Sequence, residues 1–212
     1  MQMNQKIKAN VIRRFLPLIG VGFMSMSVNA TSALEAELER VAPKVIEWRR
    51  HIHQNPELSN REFKTAEKVA VHLTTLGMEV ETGLAHTGVV GLLRGGKPGP
   101  TVMLRADMDA LPVTEDNDLS FKSTVTTEYR GVKTGVMHAC GHDTHVAMLM
   151  GAAQVLAAKR QALKGNVLFV FQPAEEGAPP GEEGGAELFL KQGLFKKYQP
   201  EAAFGLHITS AM

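Results

Sequence analysis

The sequence predicts an α/β fold with a sheet in the middle and helices on its faces. Segments in which apolar residues recur every three or four positions alternate with short, nearly continuous apolar runs. Of the 212 residues, 44% are hydrophobic and 21% are charged, which is the composition of an ordinary globular protein. We find no internal repeat.

Charge and cysteine content exclude several classes of protein. The formal net charge is +1, from 23 Lys and Arg against 22 Asp and Glu, so the chain lacks the basic surplus of a nucleic-acid-binding protein. Its hydrophobic fraction is too high for a disordered chain. Because Cys140 is the one cysteine in the sequence, an intrachain disulfide is impossible, and the residue acts as a thiol, a thiolate or a small buried side chain.

Residues 1–30 have the features of a secretory signal peptide. A basic start precedes an apolar run at 15–28 and a cleavage site at 28–30. The run is shorter than the roughly 20 apolar residues that span a bilayer. We therefore expect a mature chain from about Thr31, in the periplasm or outside the cell and without a membrane anchor. An uncleaved anchor and a start codon assigned too far upstream are the alternatives.

Four segments are predicted to be helices because their apolar residues follow the helical period: 34–53, 62–76, 143–160 and 186–191. Asn55-Pro56 ends the first helix and Gly77 ends the second. Asp143 is expected to be the N-cap of the third.

Four apolar runs are predicted to be strands: 89–93, 101–106, 167–171 and 202–206. The last two are nearly continuous, which is typical of strands buried on both faces. The Gly- and Pro-rich segment 177–185 is interpreted as a loop rather than a domain linker, because it lies between a buried strand and a helix. Loops in that position commonly carry function in α/β proteins.

The segment from His138 to His145 contains three histidines and a cysteine within eight residues. Cys140 and His142 are separated by one glycine, so a thiolate and an imidazole can turn toward the same divalent ion. The alternative is a helix N-terminus capped by Asp143, with an inert, buried Cys140.

Two adjacent carboxylates, Glu175 and Glu176, follow the strand at 167–171 after Pro173. Irregular backbone there can aim them in different directions, so that one binds metal while the other accepts a proton from water. By itself, a Glu-Glu pair more often lies on a solvated face.

His207 follows the strand predicted at 202–206. A lone histidine is more often structural, but with Cys140, His142 and a glutamate it completes a set of sulfur, nitrogen and oxygen donors for one or two ions. Metal sites with carboxylates and few thiolates leave positions open for water and substrate, so this set favours a catalytic site over a structural one.

Five ordered motifs closely resemble the metal-dependent amidohydrolases typified by hippurate hydrolase, indole-acetyl-amino-acid hydrolases and N-acyl-amino-acid amidohydrolases, within a broader family of two-metal carboxypeptidases and aminoacylases. They lie at 49–58, 104–112, 137–145, 172–177 and 205–207, and the similarity runs from about Val41 to the last residue. The resemblance implies a two-metal exopeptidase-like catalytic domain with a central mixed sheet. It also implies hydrolysis of the amide bond of N-acyl amino acids or short peptides.

The same resemblance implies the ligands of a two-metal centre, which binds Mn²⁺, Zn²⁺ or Co²⁺: Cys140, His142, Glu176 and His207. It makes Glu175 the general acid/base.

Asp109 matches the acidic residue that orients a metal-bound histidine in the broader family, and we place it with Glu175 among the catalytic candidates. Asp107 stands where those relatives carry a histidine ligand, and we keep it as a supporting residue. The resemblance gives no chemical role to His53, His138 or His145.

Relatives of this type continue for roughly as long again, through a lid and dimerisation domain and a further histidine ligand near the C-terminus. We therefore expect residues 31–212 to be the N-terminal part of a catalytic domain, and to fold or act poorly in isolation. The full-length protein is expected to act on small molecules, with no nucleic-acid partner, as a homodimer or larger assembly. An inactive metal- or ligand-binding remnant and a dipeptidase or aminopeptidase are the alternatives.

Overall fold

A mixed sheet forms the centre of the fold in the computed structural model, which describes residues 19–209 and the side chains from residue 33 onward. Its five strands are β1 (Glu79–Leu84), β2 (Gly88–Arg94), β3 (Lys97–Asp107), β6 (Lys164–Gln172) and β7 (Ala202–Gly205), in the spatial order β1-β2-β6-β3-β7. Strands β6, β3 and β7 are parallel, whereas β1 and β2 run antiparallel to their neighbours. A separate hairpin pairs β4 (Thr126–Tyr129) with β5 (Val132–Gly135).

Helices cover both faces of this sheet. They are α1 (Ile19–Gln54), α2 (Phe63–Thr75), α3 (His142–Ala158), α4 (Gly185–Lys191) and α5 (Leu194–Tyr198), with a single 3₁₀ turn at Arg160–Ala162. The end of α1 packs with α2 and α3 on one face, and α4 and α5 pack on the other. The predicted α/β fold with a central mixed sheet and flanking helices is therefore confirmed.

Strand β6 shows why an unbroken apolar run is needed in the middle of the sheet. Phe169 and Phe171 are buried against α2 and α3, whereas the alternate residues Leu168 and Val170 are buried against α4 and α5. Successive side chains of a strand point to opposite faces, so a strand covered by helices on both sides must be apolar at every position. The prediction for this run is confirmed.

The apolar run at 202–206 has a different environment from the one predicted. Strand β7 pairs only with β3 among the described strands, and its side chains are mostly exposed, with Phe204 at 60%. The prediction of a strand buried on both faces is wrong here, because an apolar run does not reveal whether a strand lies at the centre or the edge of a sheet.

The start of α3 also differs from the prediction. The helix begins at His142, and its N-cap is Gly141, with a left-handed φ of 86° and no side-chain cap. Asp143 is therefore not the N-cap. Its carboxylate is instead turned inward to pair with Arg49 and His53 of α1.

The contacts divide the chain into two units, residues 1–40 and 41–212, and all the sites described below lie within the second. The predicted signal peptide falls on residues 1–18, outside the described part, and on the first residues of α1, whose side chains are not described. Within the described range, no helix has the length and apolar composition that crossing a bilayer requires.

Candidate metal centre

The carboxyl ends of three parallel strands meet at one edge of the sheet. Asp107 at the end of β3 is in register with Gln172 at the end of β6, and Gly205 at the end of β7 pairs beside Arg105. The first turn of α3 lies at the same edge, where the Nδ1 of His142 donates a hydrogen bond to the backbone oxygen of Asp109. This arrangement brings the three motifs that the sequence separates into one place, as expected for open α/β sheets.

His142 occupies the centre of this edge and is fully buried. Its Nδ1 donates a hydrogen bond to the backbone oxygen of Asp109 at 2.8 Å, which leaves Nε2 as the atom with a free lone pair. Nε2 has no hydrogen-bond partner among the described residues. It lies 3.6 Å from a carboxylate oxygen of Asp107, 3.7 Å from one of Glu175 and 3.8 Å from one of Glu176. These separations are too long for hydrogen bonds.

Cys140 and His207 form a second pair of donors. The Cys140 Sγ lies 3.3 Å from His207 Nε2, while His207 Nδ1 donates to the backbone oxygen of Ile208. Burial, followed by the nearby Glu176 carboxylate, raises the pKa of the Cys140 thiol to about 11. A thiolate would therefore form at neutral pH only beside a positive charge such as a metal ion.

The residues of this edge fit the metal centre that the sequence predicts. Three sets of donor atoms, each within 4.8 Å of one another, share His142: Cys140, His142 and His207; Asp107, His142 and His145; and His142, Glu175 and Glu176. Ligand atoms around a common Zn²⁺-sized ion are about 3.4 Å apart when each is about 2.1 Å from the metal. The unpartnered Nε2 at the centre and the carboxylates around it match that spacing. All the ligands predicted from the sequence are present in these sets.

Asp109 lies beneath the cluster and uses its carboxylate to hold the backbone of the glutamate pair. Its two oxygens accept hydrogen bonds from the N–H groups of Glu175 and Glu176, both at 3.0 Å, and from the Ser59 hydroxyl at 2.8 Å. Burial opposes ionisation, but the hydrogen bonds from His142 and these groups outweigh it and lower the pKa of Asp109. Asp109 thus contacts both His142 and the backbone of the two glutamates.

A second buried carboxylate, Glu62, holds the residue before the pair. One oxygen accepts the N–H of Ala174 at 2.9 Å, and the other bonds the Thr87 hydroxyl. Ala174 has a φ of 49°, a conformation that is unfavourable for a residue with a Cβ and needs such support. Two buried carboxylates therefore fix three successive N–H groups, and these determine the direction of both glutamate side chains. The sequence analysis assigned no functional role to Glu62.

Glu62 makes stability depend on pH. Burial, acting with the charge of Asp109 and against the hydrogen bonds, raises the pKa of Glu62 from 4.5 to about 7. The folded state therefore binds the extra proton between these values, and stability falls as pH rises through that window, by about 3 kcal/mol in all.

The Glu62→Gln variant should remove this dependence, since an amide can accept from Ala174 and donate to Thr87. We expect equal unfolding free energies for variant and wild type below both pKa values, at about pH 4, and a more stable variant at pH 8, in denaturant titrations. Exposed Glu67→Gln is the control. A variant that is destabilised by the same amount at both pH values would contradict this account.

His53, for which the sequence suggested no role, lies between two buried carboxylates. Its Nδ1 contacts Asp143 and its Nε2 contacts Glu115, each at 2.9 Å. The hydrogen bond to Asp143, with that to Glu115, raises the pKa of His53 despite burial. With Arg49 also on Asp143, this network ties α1 to the start of α3. These contacts lie one residue after His142 on the same helix.

His138 is buried without a hydrogen-bond partner among the described residues. Burial lowers its pKa to about 4, so it is neutral at physiological pH. It does not belong to any of the three donor sets.

Comparisons with known proteins agree with this geometry. Residues 103–212 match the family model described as peptidase family M20/M25/M40. Thermostable carboxypeptidase 2 of Saccharolobus solfataricus is 47% identical over 179 residues, which is 84% of this chain and 42% of that protein. Hippurate hydrolase of Campylobacter jejuni is 42% identical over 174 residues, or 82% of this chain and 40% of that protein.

A solved structure of an M20-family peptidase also matches this chain. The YXEP protein of Bacillus subtilis, a dinuclear metal binding peptidase from the M20 family, superimposes with a TM-score of 0.70 at 38% identity. The match covers 81% of this chain and 44% of that one. The chain thus spans a little over two fifths of the length of these proteins.

Proposed function

Because the chain belongs to peptidase family M20/M25/M40, we propose that it carries the catalytic centre of a metal-dependent amidohydrolase. The substrates would be N-acyl amino acids or short peptides, cleaved at a linear amide bond. Support for this substrate class comes from relatives that are named hippurate hydrolase, N-acyl-L-amino acid amidohydrolase and carboxypeptidase.

The observation that carries the proposal is the unpartnered Nε2 of fully buried His142, with carboxylates at 3.6 to 3.8 Å. Leaving a buried polar atom unpaired costs about 1–3 kcal/mol, which a bound cation would offset. Two divalent ions, Mn²⁺, Zn²⁺ or Co²⁺, would be held by four side chains: Cys140, His142, Glu176 and His207. Mixed sulfur, nitrogen and carboxylate donors suit these borderline ions.

In this mechanism, the ions would lower the pKa of water toward about 7 and polarise the amide carbonyl. Glu175 accepts the proton that the attacking water releases, and then delivers it to the leaving amine. It is suited to this role because its side chain is 38% exposed, against 24% for Glu176. Asp109 accepts a hydrogen bond from the backbone N–H of Glu175, so the carboxylate can accept and release a proton while the backbone stays in place.

The space next to Glu175 can accept a substrate. A cavity of about 520 Å³ is lined by Glu175, by Arg105 and Lys191, and by the Gly-rich loop at 177–185. The loop begins immediately after the glutamate pair. Both cationic side chains are already paired, Arg105 with Asp107 and Lys191 with Glu183 and Glu187, so the cavity offers space for a substrate but its charges do not select one.

The proposal predicts that activity depends on the metal. The full-length protein, tested on hippurate-like N-acyl amino acids and on peptides with a free C-terminus, should lose measurable hydrolysis after chelation and recover it when Mn²⁺, Zn²⁺ or Co²⁺ is added back. Elemental analysis should find about two ions per chain. Unchanged turnover in verified metal-free protein would refute the proposal, and the preferred substrate distinguishes amidohydrolase from carboxypeptidase.

A further inference from the structure

His145 is a buried histidine one helical turn after His142, and both of its nitrogens have protein partners. Its Nε2 lies 3.0 Å from the backbone N–H of Ile208, and its Nδ1 lies 2.6 Å from a carboxylate oxygen of Asp107. A backbone N–H can only donate, so Nε2 is the acceptor and Nδ1 carries the proton that Asp107 accepts. The contacts thus determine the tautomer of this imidazole.

Asp107 is itself held in place from the other side. Arg105 donates to its second carboxylate oxygen at 2.7 Å and, through Nε, to the Gln172 side chain at 3.0 Å. A continuous series of hydrogen bonds therefore joins the ends of β6 and β3 to His145 on α3 and then to the backbone of Ile208. Every side chain in this series is at least partly buried.

Ile208 directly follows His207, and the segment that carries both residues lies outside the helices and strands. Ile208 makes a second contact, with Gly141: a Cβ on that glycine would lie only 2.2 Å from the Ile208 Cδ1. Ile208 therefore packs against the glycine between Cys140 and His142. His207 lies outside the helices and strands, so these two contacts of Ile208, with the hydrogen bond from the His207 Nδ1 to the Ile208 oxygen, place its imidazole.

We propose that His145 is a positioning residue for His207: by accepting the Ile208 N–H, it places the His207 imidazole 3.3 Å from the Cys140 sulfur. The inference rests on the proposed metal centre. His145 also lies in a donor set with Asp107 and His142. Its two nitrogens are, however, occupied by Ile208 and Asp107, which favours positioning over direct ligation. Side chains that orient metal ligands typically change metal affinity by about 10–100-fold when replaced.

Two isosteric variants separate the hydrogen bonds of His145. Asparagine can reproduce the Nδ1 donor to Asp107 but not the acceptor for Ile208, whereas glutamine can place an amide oxygen near the Nε2 position. In the full-length protein, His145→Asn should weaken binding of Mn²⁺ or Zn²⁺ by about 10–100-fold in chelator competition. His145→Gln should stay within about threefold of wild type. Thermal melts report whether each variant is folded.

The His207→Ala background tests whether His145 acts through His207. In a double-mutant cycle, the effect of His145→Asn on metal affinity should nearly vanish when His207 is already absent. An effect of the same size in both backgrounds, or equal losses in the Asn and Gln variants, would overturn the inference in favour of ligation or a general structural role. Should the Asn variant fail to fold, Ile208→Pro removes the same N–H together with the side-chain contact to Gly141 and should give at least the same loss; unchanged affinity there overturns the inference too. Wild-type protein that binds no metal would contradict the proposed function instead.

Discussion

Replacing Glu175 with glutamine is expected to lower kcat by about 10²–10⁴-fold in the full-length enzyme, the usual contribution of a general acid/base. The amide can still occupy the space beside His142, 3.7 Å away in the wild type, but it cannot accept a proton from water. The backbone N–H of residue 175 keeps its bond to Asp109, so the site should keep its shape. Metal content, measured by elemental analysis, should be unchanged.

Exposed Glu67 on α2 provides the matched control, because Glu67→Gln makes the same chemical change away from the cluster. Its kcat should equal that of wild type. If the Glu175 variant loses metal together with activity, Glu175 is a ligand and the proton acceptor is another group. If turnover falls by less than about tenfold, no general base acts at this position.

The Asp109→Asn change should produce the largest combined loss of stability and activity. Besides His142, three donors converge on the carboxylate, the N–H groups of Glu175 and Glu176 and the Ser59 hydroxyl. Asparagine has one accepting oxygen, and its NH₂ group would face a donor, so at least one partly buried N–H loses its partner. We expect the free energy of unfolding to fall by about 1–3 kcal/mol. A displacement of about 1 Å in the glutamates would reduce kcat by about 100-fold.

Ser59→Ala is the control for this prediction, since it removes one donor and leaves both backbone bonds to Asp109 intact. Its cost in stability should be about 1 kcal/mol, with little change in kcat. Denaturant titrations and steady-state kinetics on both variants distinguish the roles. Equal kcat values for the two variants would show that Asp109 does not orient the glutamate pair.

Local sequence patterns were sufficient to predict the elements that carry the site. The run at 167–171 and the helix after Cys140 were found from periodicity, and the structure contains them as β6 and α3. The flanking strands β1, β4 and β5 were missed. Strand β1 contains two glutamates, Glu79 and Glu81, and none of its residues is fully buried, so it offers no apolar run.

The chemical types of the site residues were also evident from the sequence. A cysteine and histidines in one short segment, and a glutamate pair after a buried strand, indicated metal chemistry before any distance was known. The sequence could not show which buried residues hold the backbone of the glutamate pair in place. Glu62 holds the N–H of Ala174, 112 residues away along the chain, and Asp109 holds that of Glu175, 66 residues away.

By itself, the sequence determined the order of the main helices and of the central strands, and the set of donor groups, because periodicity and residue chemistry are local properties. Tertiary structure alone decided that β7 lies at an edge of the sheet that the described residues form, that Asp143 turns inward to Arg49, and that His145 reaches Ile208. Each of these depends on how segments distant in the sequence pack together. A carboxylate or imidazole has the same local signature whether it faces solvent, metal or a distant backbone N–H, so only the packed sheet edge distinguishes these environments.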